Sequence, residues 1–453
     1  MFDSDTVRTD GGTTPFRTDG GTTPFRTDGG SSPSEWRVGT ASAPITPDPD
    51  DPHHLIGFGA RDGPMDGVQD EIYARAVAFE DSTGRRLVHL SFELLFVFPG
   101  QRAMLEAICE ERWDLEPEGL FITPSHTHYG PDYDVNNQAM KDEQNPEDGL
   151  ARDPDADEDL IASYREFVDE TLVSVVDEAV EDLETASLSY YRAKCAIAMN
   201  RRRAHEDGIG FEPTPNAPVD HDLPVLAART EDGTMKALLF GYACHPTAGM
   251  AFCNEVAGDW PGHAMAHLEE AYPEATATFV IGCAGDQKAY PQGSQDLVKQ
   301  HARTAATAVE RALVTEAQPV RGPLKLTADE VGLEVQKPVE DDTGSRVGTT
   351  VTEHVEYPIQ AVGFGTDLTL LSLSGEVVAD FSLQLKETLA SPLWVSAYSG
   401  NHGYLPTKRI LAEGGYEAWQ SFAEGRYAPS TEDRILETAT ALAERVGARR
   451  RDA

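Results

Sequence analysis

The strongest constraint in this chain is a recurring pattern. An apolar, strand-like run stops in a short polar turn rich in Gly, Pro or His. Leu120-Phe121-Ile122-Thr123 runs into Ser125-His126-Thr127-His128-Tyr129-Gly130-Pro131. Ala237 to Ala243 runs into Cys244-His245-Pro246-Thr247, and Phe279-Val280-Ile281 into Gly282-Cys283-Ala284-Gly285-Asp286-Gln287. Leu368 to Leu373 stops at Ser374-Gly375-Glu376, and Trp394 to Tyr398 leads to Asn401-His402-Gly403-Tyr404-Leu405-Pro406. Apolar runs of this length are consistent with buried strands. Strands that all end in polar groups point to one crevice at the strand ends.

Further strands are predicted at Tyr73 to Phe79, Leu87 to Phe98, Leu188 to Met199, Leu226 to Arg229 and Leu324 to Val335,. Helices are predicted at Gln101 to Trp113, Gly262 to Tyr272, Gln295 to Val314 and Thr431 to Arg449,. Ile161, Tyr164, Val168, Leu172, Val175, Val176, Ala179 and Leu183 mark the apolar face of another, longer helix,. Strands and helices alternate without a strict βαβ rhythm. The expected fold class is therefore α/β, with mixed layered sheets flanked by helices, rather than a doubly wound sheet or a barrel.

The N-terminal segment reads differently. Arg8 to Phe16 is RTDGGTTPF, Arg17 to Phe25 repeats it, and Arg26 opens a degraded third copy. So few apolar residues cannot offset the ordering entropy of a packed unit. Residues 1–52 are expected to be a disordered repeat tail and linker, and residues 53–453 one domain. The acidic stretch Lys141 to Asp159 is expected to be a solvated insertion,.

Charge excludes partners. The 77 Asp+Glu against 37 Lys+Arg leave a formal charge of -40, which repels nucleic-acid phosphates and anionic membrane surfaces,. The same excess resembles proteins of salt-in halophiles. No apolar run reaches the roughly 18 residues of a transmembrane helix, and the N-terminus lacks the pattern of a secretory leader. The 5 cysteines show no CxxC spacing and sit among apolar neighbours. They read as reduced thiols, and the expected location is the cytoplasm.

The histidines carry the chemistry. His126 and His128 follow a strand at i and i+2, the spacing that puts two imidazoles on one side of extended chain. His-x-His is also a common metal-ligand spacing. His245 closes an apolar strand beside a proline that stops it. The Gly-rich turn at 282–287 lets backbone approach a ligand closely, but lacks the pattern of a phosphate-cradling loop.

At these residues the chain resembles the catalytic domain of the neutral/alkaline, non-lysosomal ceramidase family, which are zinc-dependent amidohydrolases. The resemblance runs from about Gly57 to Arg449. It includes Gly57-Phe58-Gly59, the strand Tyr73-Ala74-Arg75-Ala76, Ser125 to Pro131 for the family's THTHSGP, and His245-Pro246-Thr247. Asn200-Arg201, Gly375-Glu376 and two tyrosines twelve residues apart, Tyr404 and Tyr416, complete it. The resemblance implies that His126, His245, Glu376 and Tyr404 hold a zinc ion. It implies that His128 is a proton shuttle, and that Arg201 and Tyr416 stabilise the oxyanion or anchor the substrate. Lys288 stands where the family carries a serine. The implied function is zinc-dependent hydrolysis of an N-acyl (amide) bond by metal-activated water, on a small-molecule or amphiphilic substrate. An acyl esterase on the same metal site, or a non-catalytic metal- or ligand-binding relative, are the alternatives.

Overall fold

The computed structural model describes residues 36–58, 61, 63–133, 157–249, 253–340, 346–419 and 426–451. The nine-residue repeat and most of the acidic stretch at 141–159 lie outside these residues, as does Gly59. The described chain forms four layers. A nine-stranded sheet runs in the order Thr276–Ile281, Met235–Tyr242, Asp222–Thr230, Glu184–Lys194, Trp36–Pro44, Tyr73–Glu80, Arg86–Phe92, Leu120–Pro124, with Gln318–Val320 also pairing Glu184–Lys194. Its two outer pairs are parallel and the interior is antiparallel. A five-stranded sheet runs Leu393–Ser396, Leu368–Leu373, Arg346–Phe364, Leu324–Glu340, Arg426–Tyr427.

These two sheets share a core. Trp36, Phe79, Leu188, Leu239 and Val280 from the first pack with Val362, Phe364, Leu370 and Trp394 from the second. At Gly241 an added Cβ would lie 2.5 Å from the Trp394 indole nitrogen, so only glycine admits that ring between the sheets,. Helices Pro99–Trp113, Glu158–Glu181, Asp259–Ala271 and Gln295–Leu313 accompany the larger sheet, and Ser430–Val446 packs on the smaller one. The mixed layered α/β expectation holds. The helix at Glu158–Glu181 buries the predicted stripe from Ile161 to Ala179 and begins where the Asp157 side chain accepts from the amides of Asp159 and Leu160,.

Three sequence expectations need correction. The linker boundary at 52 is wrong, because Trp36–Pro44 is an interior strand between Tyr73–Glu80 and Glu184–Lys194. Its buried Trp36 donates its indole N–H to Val320 O at 2.8 Å. The predicted strand Leu188 to Met199 is two strands, Glu184–Lys194 and Ala198–His205, the second of which leaves for a three-stranded sheet with Gly208–Thr214 and Gln287–Ala289. The predicted strand Leu87 to Phe98 ends at Phe92, while the nineteen-residue strand Arg346–Phe364 and the helix Ala379–Thr388 were not expected. None of the five cysteines is disulfide-bonded. No described helix is long and apolar enough to cross a membrane.

Candidate metal centre

The strand ends deliver four donor groups to one buried point. His126 and His128 follow Leu120–Pro124, His245 follows Met235–Tyr242, and Glu376 begins the two-residue strand after Leu368–Leu373. The ligating nitrogens of His126, His128 and His245 all lie within 4.8 Å of one another. The Nε2 atoms of His126 and His128 are 3.3 Å apart. Glu376 Oε2 is 3.1 Å from His245 Nε2 and 3.6 Å from His126 Nε2.

Backbone carbonyls set the tautomers. His126 Nδ1 lies 2.7 Å from Leu95 O, His128 Nδ1 2.7 Å from Gly57 O, and His245 Nδ1 2.7 Å from Ala284 O. A carbonyl oxygen only accepts, so each Nδ1 carries the proton and donates it. Each ring then turns its Nε2 toward the others and toward a carboxylate. Lone pairs at these distances repel unless a cation lies between them. Tetrahedral zinc with nitrogen ligands at about 2.05 Å would set its donors roughly 3.3 Å apart. The donor set thus fits a divalent cation, and its nitrogen- and oxygen-rich chemistry fits zinc.

Local electrostatics agree. Burial, then the neighbouring His126 and His245, hold His128 well below the usual imidazole range. Burial, then Arg201, lowers His245 to about 4. Burial opposes ionisation of Glu376, yet the imidazoles of His126 and His245 keep its carboxyl well below the usual range,. Neutral His128 and His245 and an ionised Glu376 are protonation states that metal binding requires,. His126 occupies the left-handed region at φ 65, strain of the kind stored at functional sites,.

Close backbone approaches fix the pocket. Gly57 has φ 111, and a Cβ there would sit 2.6 Å from the His128 ring. A Cβ on Gly285 would meet Glu376 O at 2.5 Å. Asp286, at the end of the same Gly-rich turn, is structural. Its carboxylate accepts from Asn200 Nδ2 at 2.7 Å, Gln287 Nε2 at 2.8 Å and the Ala379 amide at 2.9 Å.

Arg201, Tyr404 and Tyr416 form a second group. Register pairs Tyr404 with Glu376, and the Tyr404 hydroxyl accepts from Arg201 Nη2 at 3.0 Å. Arg201 Nε donates to Glu417 at 2.8 Å, and Tyr416 packs edge-on to Tyr404 with centroids 5.2 Å apart. The structure thus brings His126, His128, His245 and Glu376 together, and Arg201, Tyr404 and Tyr416 into a neighbouring group. His128, expected next to the metal, has its Nε2 within the donor cluster itself. Tyr398 was missed. Its ring centroid lies 4.4 Å from that of His126, it has φ 64, and among the described residues its buried hydroxyl has no hydrogen-bond partner. The sequence marked it only as a strand end. Lys288 is buried beside the site, bridged to His245 through the backbone; burial, then Arg201, lowers its ammonium to about 7.

Fold and centre together define a layered α/β protein whose strand ends carry a buried three-histidine and glutamate cluster that could hold a metal ion. Among solved structures, the neutral ceramidase from Pseudomonas aeruginosa shares this fold, with a TM-score of 0.70 and 16% identity over 93% of this chain and 76% of that one. A ceramidase complexed with C2 matches equally, at TM-score 0.70 and 16% identity over 91% and 76%. The chain has the neutral ceramidase fold. No family model matches it, and no curated protein does.

Proposed function

We propose that the protein is a zinc-dependent hydrolase of the neutral ceramidase type that cleaves an N-acyl amide bond. One observation carries this reading. Three Nε2 lone pairs, each fixed by an Nδ1–H bond to a carbonyl, converge with an ionised glutamate inside a protein of ceramidase fold. His126, His245 and Glu376 would hold the ion, with Tyr404 at its side through the pairing with Glu376. Bound there, zinc supplies Lewis acidity and a water acidic enough to deprotonate near neutral pH.

The chain's own residues do the rest. His128 is the most exposed of the three imidazoles, at 9%, and its Nδ1–H bond to Gly57 O leaves Nε2 as the proton acceptor,. It would take the proton from water and return it to the leaving nitrogen. Water oxygen bonds to the carbonyl carbon, the C–N bond breaks, and a carboxylic acid and an amine leave. Arg201, held by Glu417, and Tyr416 beside it would face the developing oxyanion,. The substrate is a small or amphiphilic N-acyl compound. The five unpaired cysteines support a reducing, cytoplasmic location,.

The test is metal content and turnover of purified protein against N-acyl amides and matched acyl esters. About one zinc per chain is expected, lost in His126→Ala and His245→Ala but kept in His128→Asn, which should lose turnover. Absence of stoichiometric metal refutes the reading. Faster ester than amide cleavage would make the protein an esterase, and loss of metal in His128→Asn would make His128 a ligand.

A further inference from the structure

Gly57, Phe58 and Arg61 close on His128. Gly57 O accepts from His128 Nδ1 at 2.7 Å, and the Phe58 ring lies against the imidazole with centroids 4.9 Å apart. Arg61 completes the set from the backbone side. Its Nη1 donates to the His128 carbonyl at 2.9 Å and its Nη2 to the Cys253 carbonyl at 3.2 Å. Its Cζ lies 5.1 Å from the centroid of Phe58 and 5.4 Å from that of Tyr129.

The chemistry of the side chain suits this place. A guanidinium is planar and carries five N–H groups in a fixed fork, so it can tie carbonyls from two segments while its faces rest on rings. Burial lowers Arg61 to about 10, so it is still charged at neutral pH. The segment it ties to is itself anchored. Glu255–Val256 pairs with Gly67–Val68, and the Ala257 amide donates to Tyr129 O at 3.3 Å. Thr127 Oγ1 donates to Ala257 O at 2.8 Å. Arg61 therefore fastens the carbonyl of His128 to a frame.

A proton carrier loses rate steeply when it is displaced by about 1 Å. The loss depends on the leaving group. An amine leaves only once its nitrogen is protonated, whereas p-nitrophenolate departs as a stable anion. A displaced His128 thus slows cleavage of an amide more than that of an activated ester.

We propose that Arg61 is a positioning residue: by bridging the carbonyls of His128 and Cys253 it holds the His128 imidazole where it can return a proton to the leaving nitrogen. This rests on the hydrolase reading above, in which His128 carries that proton.

The experiment uses full-length, zinc-loaded protein at pH 8 with N-lauroylethanolamine and p-nitrophenyl laurate. With water, the first gives laurate and ethanolamine, and the second laurate and p-nitrophenolate. In Arg61→Met, kcat for the amide should fall roughly 10- to 100-fold, a share of what general acid–base catalysis contributes. For the ester it should stay within threefold, and the zinc content should be unchanged. Arg61→Lys keeps the charge without the fork and should behave like Arg61→Met. Arg61→Gln serves if the Met variant does not fold. An amide-to-ester ratio that stays within threefold of wild type, loss of zinc, or full recovery in Arg61→Lys overturns the proposal. NMR spectra of the histidine rings give an answer independent of turnover. The His128 Nδ1 proton, assigned by its loss in His128→Asn, should be sharp in wild type. It should broaden or vanish in Arg61→Met, while those of His126 and His245 persist. If neither substrate turns over and this change is seen, Arg61 still positions the His128 ring and the hydrolase reading alone falls. An unchanged His128 signal overturns the positioning role.

Discussion

Glu417→Gln tests whether Arg201 is held where catalysis would need it. Glu417 is fully enclosed and accepts from Arg201 Nε at 2.8 Å and from Arg202 Nη1 at 2.5 Å. The amide keeps the shape and removes the charge. Arg202 retains Glu413 at 3.1 Å and Gly414 O at 2.8 Å. Arg201 retains only the neutral Tyr404 hydroxyl at 3.0 Å and aromatic faces among its described partners. Breaking a buried pair from one side costs about 3–5 kcal/mol, and here the cost should fall mainly on Arg201. Urea unfolding at pH 7 should show that loss as a lower midpoint at constant m-value. Arg201→Met combined with Glu417→Gln should recover part of it, since no guanidinium is then left unpaired at that position. The sign with pH is fixed. Burial opposes ionisation of Glu417, but Arg201 and Arg202 hold its folded value below the ordinary 4.5. Its contribution is full above that value and lost as pH falls through the folded one, so wild type and variant should converge in acid. A loss under about 1 kcal/mol at pH 7, or a gap that widens in acid, would refute the reasoning.

Three further substitutions probe the centre and its support. Gly57→Ala forces a Cβ into the His128 ring at a backbone angle that disfavours side chains, so activity should fall at least tenfold and the His128 ring resonances should shift in NMR spectra,. Tyr398→Phe removes a buried hydroxyl that has no partner among the described residues; stability should hold or rise by up to about 1 kcal/mol while kcat falls, and unchanged kcat would make that hydroxyl idle,. Trp36→Ala should cost about 3–5 kcal/mol in urea unfolding, and a loss under 1 would mean that the strand Trp36–Pro44 is not integral to the core,.

The donors were legible because of their local setting. His126, His128, His245 and Glu376 each end an apolar strand at a Gly or Pro, a pattern visible within ten residues of chain. Their tautomers were not, because the carbonyls of Leu95, Gly57 and Ala284 come from distant segments. Tyr398 was hidden for the same reason, since only packing on His126 distinguishes it from other strand tyrosines. The strand Trp36–Pro44 was lost beside a repeat of low apolar content, although Trp36, Val38 and Ala41 are buried. In Arg346–Phe364 the buried alternation Tyr357, Ile359, Ala361 was available, but Pro358 interrupts it and argues locally against a central strand,.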